Sequence, residues 1–188
     1  TNDYTVVVTA TAGSISADQT ITVTVTDVEE ADPTMADFSG VFAGSTKDGD
    51  TYTFPTGAEG YAGFANTNED LYPFSFPNGG TVTFTASAAT PTNVNFRFER
   101  LPYPDTDPAF STDNVTVSGE EKSYTVEFGS QGENTFSSLI MYIVERDQAV
   151  TIKNVLITAK PAETAGSSVL FSGVFDGTTY DADTNTFQ

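Results

Sequence analysis

Cysteine, histidine and tryptophan are all missing from this chain of 188 residues. Without cysteine there is no disulfide framework and no thiol nucleophile. Without histidine the commonest general base and the commonest zinc or copper ligand are gone, and a Ser-His-Asp triad cannot be assembled. Basic residues are scarce too, 7 against 26 acidic ones, for a formal charge of −19. Nucleic acids and anionic membrane surfaces bind through basic patches, so neither is an expected partner. No apolar run is long enough to span a bilayer, so no membrane insertion is expected. Nowhere do helix-forming residues recur at helical spacing.

What remains is a strand-forming mixture of threonine with valine, isoleucine, 15 phenylalanines and 8 tyrosines. In YTVVVTATAGSISADQTITVTVT, residues 4–26, apolar and threonine positions alternate with a period of two. The pattern predicts a hairpin with strands near 4–11 and 19–26, joined through the turn-forming stretch AGSISADQ. A lone hairpin is marginal in water, so these two strands are expected to close an upstream domain. An acidic linker, DVEEADP, follows at 27–33. From 34 to 159 short strands succeed one another without a helical segment: TVTFTAS, NVNFRFER, NVTVSG, KSYTVEF, SSLIMYIVE and VTIKNVLIT. Turns are expected at PNGG (77–80), SGEE (118–121) and GSQGEN (129–134), and a bulge where the period shifts near Asn154. The expected fold is all-β, an antiparallel β-sandwich, with a partial hairpin upstream.

The chain also repeats itself. FSGVFAGSTKDGDTYTF, from Phe38, and FSGVFDGTTYDADTNTF, from Phe171, align without a gap and agree at 12 of 17 positions. The spacing suits tandem copies of a small domain. The expected division is therefore 1–32, the end of an upstream repeat plus linker; 33–160, one complete module; 161–170, a connector; and 171–188, the opening of a second copy.

Three clusters carry candidate function. EGYAGFANTNEDLYPFSF, 59–76, is an aromatic-rich loop. Tyrosine faces stack on the apolar faces of sugar rings, and amides or carboxylates bind hydroxyls, which nominates Tyr61, Asn66 and Tyr72. Phe74 and Phe76 alternate and are expected in the core. The polar face of NVNFRFER presents Asn95, Arg97 and Glu99, either a simple ion pair or a donor and acceptor set for a diol. LPYPDTDP and MYIVERD add Tyr103, Tyr142 and Arg146. For each, the plain alternative is packing or a solvated charge.

The stretches FSGVF, AEGYAGFAN, YPFSFPNGGTVTFTAS, VNFRFE, YTVEF, NTFSSLIMYI and VTIKNVLIT together resemble jelly-roll carbohydrate-binding modules of the galactose-binding-like superfamily, families 4 and 22 in particular. The resemblance covers about 34–159. It implies polysaccharide binding on a concave face or at the loop ends, with laminarin, a β-1,3-glucan, as first candidate, and a structural calcium ion. Such modules usually present tryptophan platforms; here Tyr61 stands where a tryptophan is expected. The hairpin and linker resemble the close of bacterial cadherin-like or immunoglobulin-like repeats, which implies calcium at Asp27, Glu29, Glu30 or Asp32. The architecture implied is that of a large secreted or surface protein, with neighbouring modules of the same polypeptide as further partners.

Two other classes stand beside glycan binding. A spacer or adhesin module explains the repeat equally well but has no need of wet tyrosines; burial of both Tyr61 and Tyr72 would favour it. A glycosidase needs two carboxylates about 5–10 Å apart, and Glu99 with Glu145 is the pair to consider. A lyase would want a Tyr–Arg pair such as Tyr142 and Arg97; beyond these pairs nothing in the sequence suggests catalysis, and none is expected.

Overall fold

The computed structural model describes residues 2–25, 34–162, 180–181 and 186–187. The acidic linker, with Asp27, Glu29, Glu30 and Asp32, lies outside them, as does most of the second copy.

The hairpin is β1 (Asn2–Ala12) with β2 (Ile15–Val25), paired from Asn2↔Val25 to Ala12↔Ile15. Its turn is only Gly13–Ser14, so AGSISADQ is mostly strand. Gly13, at φ 63, supplies the left-handed conformation a two-residue hairpin loop requires, and the alternating threonines can then pair almost to the tip.

The module begins with short strands: β3 (Thr34–Met35), β4 (Gly40–Phe42), β5 (Thr46–Asp48), β6 (Thr51–Thr53), β7 (Gly63–Ala65) and β8 (Phe74–Ser75). β9 (Gly80–Glu99), β10 (Ala109–Ser111), β11 (Val115–Phe128), β12 (Thr135–Phe136), β13 (Ser138–Ile143) and β14 (Ala149–Ala159) complete it. TVTFTAS and NVNFRFER, read as two strands, form one strand of 20 residues, β9. Its even-numbered residues are buried from Gly80 to Ala88 and again from Thr92 to Phe98. Between the halves, Ala89–Pro91 are exposed and have no cross-strand partner. Proline lacks the N–H a ladder needs, so it sits where no ladder bond is made.

Each half of β9 belongs to a different layer. Its first half pairs with the end of β11 on one side and with β14 on the other; β3 and the β6–β5 pair extend from β14. Its second half pairs with β10 and the start of β11 on one side, and on the other with β13, then β7, then β4. β11 crosses between the layers as β9 does. SGEE is therefore no turn between strands. It is a register shift within one strand, with Gly119 at φ 72. A further one-residue shift falls between Lys153 and Leu156, with Asn154 at φ 52, and it flips the buried face of β14 from even to odd positions, as the period change in the sequence implies.

The core between the layers is largely aromatic. Phe98, wholly buried, contacts Phe74, Phe76, Phe110, Phe128 and Phe136, with ring centroids 4.9–6.4 Å apart. Phe74 and Phe76 are in this core, as their alternation predicts.

Candidate functional site

The outer face of the second layer carries a cleft of 1330 Å³. Its floor follows from strand alternation. Leu139, Met141 and Ile143 of β13 point into the core, so Ser138, Ile140 and Tyr142 point out. On β9, Phe96 and Phe98 point in, which turns Arg97 and Glu99 outward beside them. Across β13, the facing residues of β7, Gly63 and Ala65, are small, and so is Gly40 of β4: Gly40 opposes Ala65, Ala65 opposes Ile140, and Phe42 opposes Gly63. A Cβ on Gly40 would meet the Ala65 carbonyl oxygen at 2.8 Å, so only glycine lets this edge strand close up. Gly63 makes room for an aromatic ring, since a Cβ there would lie 2.8 Å from Cε1 of Tyr142. The ring is folded over the glycine, and the floor stays low.

Loops supply the walls. Tyr61, from the loop after β6, is 64% exposed, and Tyr103, from the loop after β9, is 89% exposed; both line the cleft. The Tyr103 loop is closed at its base by the Arg100 amide, which donates to the carbonyls of Thr106 and Pro108 at 3.0 Å each. Tyr72 also lines the cleft, but it is half-buried and its hydroxyl is already engaged. It accepts from Asn66 Nδ2 at 2.9 Å and from the Leu139 amide at 3.1 Å. β7 ends at Ala65, and past that point the Tyr72 oxygen stands in for a strand as acceptor of the Leu139 N–H. Asn66, only 8% exposed, is equally committed: its Oδ1 accepts from the Asp37 amide and its Nδ2 also donates to the Asn68 carbonyl. These two residues build the wall; of their polar hydrogens, only the Tyr72 O–H has no acceptor among the described residues.

The cleft's polar centre is Arg97 and Glu99. Arg97 Nε donates to Glu99 Oε1 at 2.7 Å, and Ser138 Oγ donates to Glu99 Oε2 at 3.2 Å. Glu99 is 5% exposed. The terminal nitrogens of Arg97 have no hydrogen-bond partner among the described residues, so donors remain for a ligand. Burial raises the Tyr142 phenol above its ordinary pKa; the Glu99 charge adds to this and Arg97 offsets part of it. Burial also raises Tyr72, against hydrogen bonds from Asn66 and Leu139 that lower it. Both phenols stay neutral at physiological pH, with an apolar face and a polar edge.

Seven of the nine residues nominated from sequence line this one cleft: Tyr61, Asn66, Tyr72, Arg97, Glu99, Tyr103 and Tyr142. Asn95 and Arg146 do not. Asn95 donates to Asn114 Oδ1 at 2.9 Å. Arg146 Nη1 donates to the carbonyls of Pro55 and Ala58 at 2.8 and 3.0 Å, and its guanidinium sits 4.0 Å from the Phe54 ring centroid. Glu145 is tied to the backbone and side-chain nitrogens of Asn93 at 2.6 and 2.7 Å and takes no part in the cleft. Sequence reading missed Phe42, Ala65, Thr67, Glu69, Ser138 and Ile140 in the lining. Ser138 and Ile140 share the period-two face of Tyr142, a signal that could have found them. Among the described residues no group of acidic side chains is placed to hold a metal ion, and no helix is long and apolar enough to cross a membrane.

No protein-family model and no curated protein matches the chain. Solved structures with a similar trace are carbohydrate-binding modules. A family 22 xylan-binding domain of Xyn10C from Paenibacillus barcinonensis is 13% identical, with TM-score 0.46, covering 74% of this chain and all of that domain. A family 29 module from Piromyces equi is 16% identical, with TM-score 0.42, covering 69% of this chain and 87% of that one. A variant family 29 module complexed with cellulohexaose is 14% identical, with TM-score 0.41, covering 83% and 91%.

Proposed function

We propose that the cleft binds a neutral polysaccharide without cleaving it. The supporting observation is the pairing of exposed Tyr61 and Tyr103 rings with a floor of small residues and a hydrogen-bonding centre at Arg97, Glu99 and Ser138. Flat rings offer stacking faces to a sugar, and the unspent Arg97 donors with the Glu99 carboxylate suit vicinal hydroxyls. Charge selects against acidic glycans. Among the described residues Arg97 is the one cation lining the cleft, it is paired, Glu69 stands nearby, and the whole chain carries −19. A β-glucan is the first candidate, laminarin before others, in a secreted or surface protein whose modules repeat in tandem. Repetition would raise avidity without new contacts.

Affinity electrophoresis of the whole chain against laminarin, mixed-linkage β-glucan, xylan, agarose and alginate tests this. Retardation by at least one neutral glycan, abolished by Tyr61→Ala with Tyr103→Ala, is the expected result. No retardation by any of them, with calcium or with chelator, would leave the spacer reading in place. The same calcium series tests the acidic linker: a melting temperature raised by calcium and reversed in a variant with Asp27, Glu29, Glu30 and Asp32 neutralised would support a structural ion there.

A further inference from the structure

The five-residue turn between β13 and β14, Val144 to Gln148, spends each of its charged side chains on a neighbouring segment. Glu145 holds Asn93 at the end of the cleft sheet's central strand. Arg146 and Asp147 both reach the loop after β6. Arg146 holds the Pro55 and Ala58 carbonyls and covers the Phe54 ring. Asp147 accepts from the Thr56 amide at 2.6 Å and from its hydroxyl, while its own amide donates to the Phe54 carbonyl at 2.9 Å. One residue beyond this grip, Glu59 donates to the Ala43 carbonyl and accepts from the Ala62 amide, and Tyr61 rides on that turn. The Tyr61 hydroxyl makes no hydrogen bond among the described residues. No hydrogen bond of its own therefore fixes the ring.

We infer that Arg146 and Asp147 are positioning residues that fix the Tyr61 wall relative to the floor strand β13, from which their turn directly emerges. Neither lines the cleft. Their grip makes the floor and this wall one unit, so a sugar ring meets a preset gap and ordering the loop costs nothing at binding. The geometry stands without the glycan reading; the consequence for affinity rests on it.

The absence of tryptophan allows a direct test. Tyr61→Trp in the whole chain places a single fluorophore on the wall. Adding Arg146→Ala is expected to lower its steady-state anisotropy while the far-ultraviolet circular dichroism is kept, and Arg146→Lys, which retains a donor and the cation over Phe54, should restore most of it. Unchanged anisotropy in folded Arg146→Ala overturns the inference. If that variant does not fold, Asp147→Asn serves: asparagine tolerates the φ of 59 at this position, and it loses the charge and one of the two acceptor oxygens that Thr56 uses. In electrophoresis against laminarin, mixed-linkage glucan and xylan, Arg146→Ala should weaken retardation at least about twofold, the low end for residues sharing one network. It should weaken it no further when Tyr61 is already alanine. Additive losses in that double variant would also overturn it. An anisotropy drop with no retardation of any variant upholds the clamp and removes the glycan reading instead.

Discussion

The two outer faces of the sandwich share a strand and diverge in chemistry. Odd-numbered residues of β9 are Thr81, Thr83, Thr85 and Ser87 on one layer and Asn93, Asn95, Arg97 and Glu99 on the other. On the first, threonines face each other across strands, Thr83 with Thr125 at 3.3 Å and Thr51 with Thr151 at 3.2 Å, and Lys153 meets Glu121 at 2.8 Å in the open. That face is polar, with a pocket of 750 Å³ at the end where Thr81, Glu127 and Thr158 meet. On the second, glycine and alanine lower the floor, aromatic loops raise the rim, and the one ion pair is sunk between them. Small residues on the floor and aromatic loops at the rim shape the cleft on an alternation that both faces share.

Breaking what both faces share should have the largest effect. Phe98→Ala removes the hub of the aromatic cluster directly behind Arg97 and is expected to cost ~3–5 kcal/mol by urea denaturation, with glycan retardation lost alongside. A loss confined to binding would show that the cleft layer is not supported by this core. Tyr52 comes next. It is 6% exposed, its ring edge lies against Phe64 at 4.9 Å, and burial first, then Asp50 and Asp37, push its phenol up to about 12. The unfolded chain ionises this group near 10.0 while the folded one keeps the proton, so stability is full below pH 10 and falls as pH rises toward about 12. The loss is on the order of 2–3 kcal/mol, and Tyr52→Phe should remove that part of the alkaline slope in pH-jump denaturation.

The two ion pairs put the faces side by side. Arg97→Gln strands the nearly buried Glu99 carboxylate, expected to cost about 1–3 kcal/mol, with weaker glycan retardation. Lys153→Gln breaks an exposed pair and should cost under ~1 kcal/mol with binding untouched. Equal costs in thermal melts would mean the cleft offers no more shielding than open sheet.

How much of this was legible follows the same division. The alternation of β9 placed Phe96, Phe98, Arg97 and Glu99 on their correct faces, because the period-two signal is carried by large residues. The continuity of β9 and β11 across both layers was not legible: Pro91 and SGEE look like punctuation, and only the second sheet gives the chain a reason to run on. Glycines and alanines of the floor say nothing in a sequence, since their contribution is the space they leave. Asn66, Tyr72 and Arg146 also hydrogen-bond to the backbone groups of Asp37, Asn68, Leu139, Pro55 and Ala58, and no one-dimensional pattern reveals those partners.

The finest tests change one small residue on each face. Gly63→Ala inserts a methyl where the Tyr142 ring lies and should tilt the ring into the cleft, at about 1–2 kcal/mol for local overpacking. In the Tyr142→Ala background the same substitution should be nearly free, because the clash partner is gone; a persistent cost would place the strain on the Met141 carbonyl, 3.1 Å from the new methyl. On the ladder face, Thr83→Val keeps the β-branched shape and discards only the hydroxyl shared with Thr125. Its effect on the melting curve should stay within ~0.5 kcal/mol, with retardation on every glycan unchanged. Retardation altered by that variant would mean the threonine face also touches the polysaccharide, and the division of labour between the two outer faces would fail.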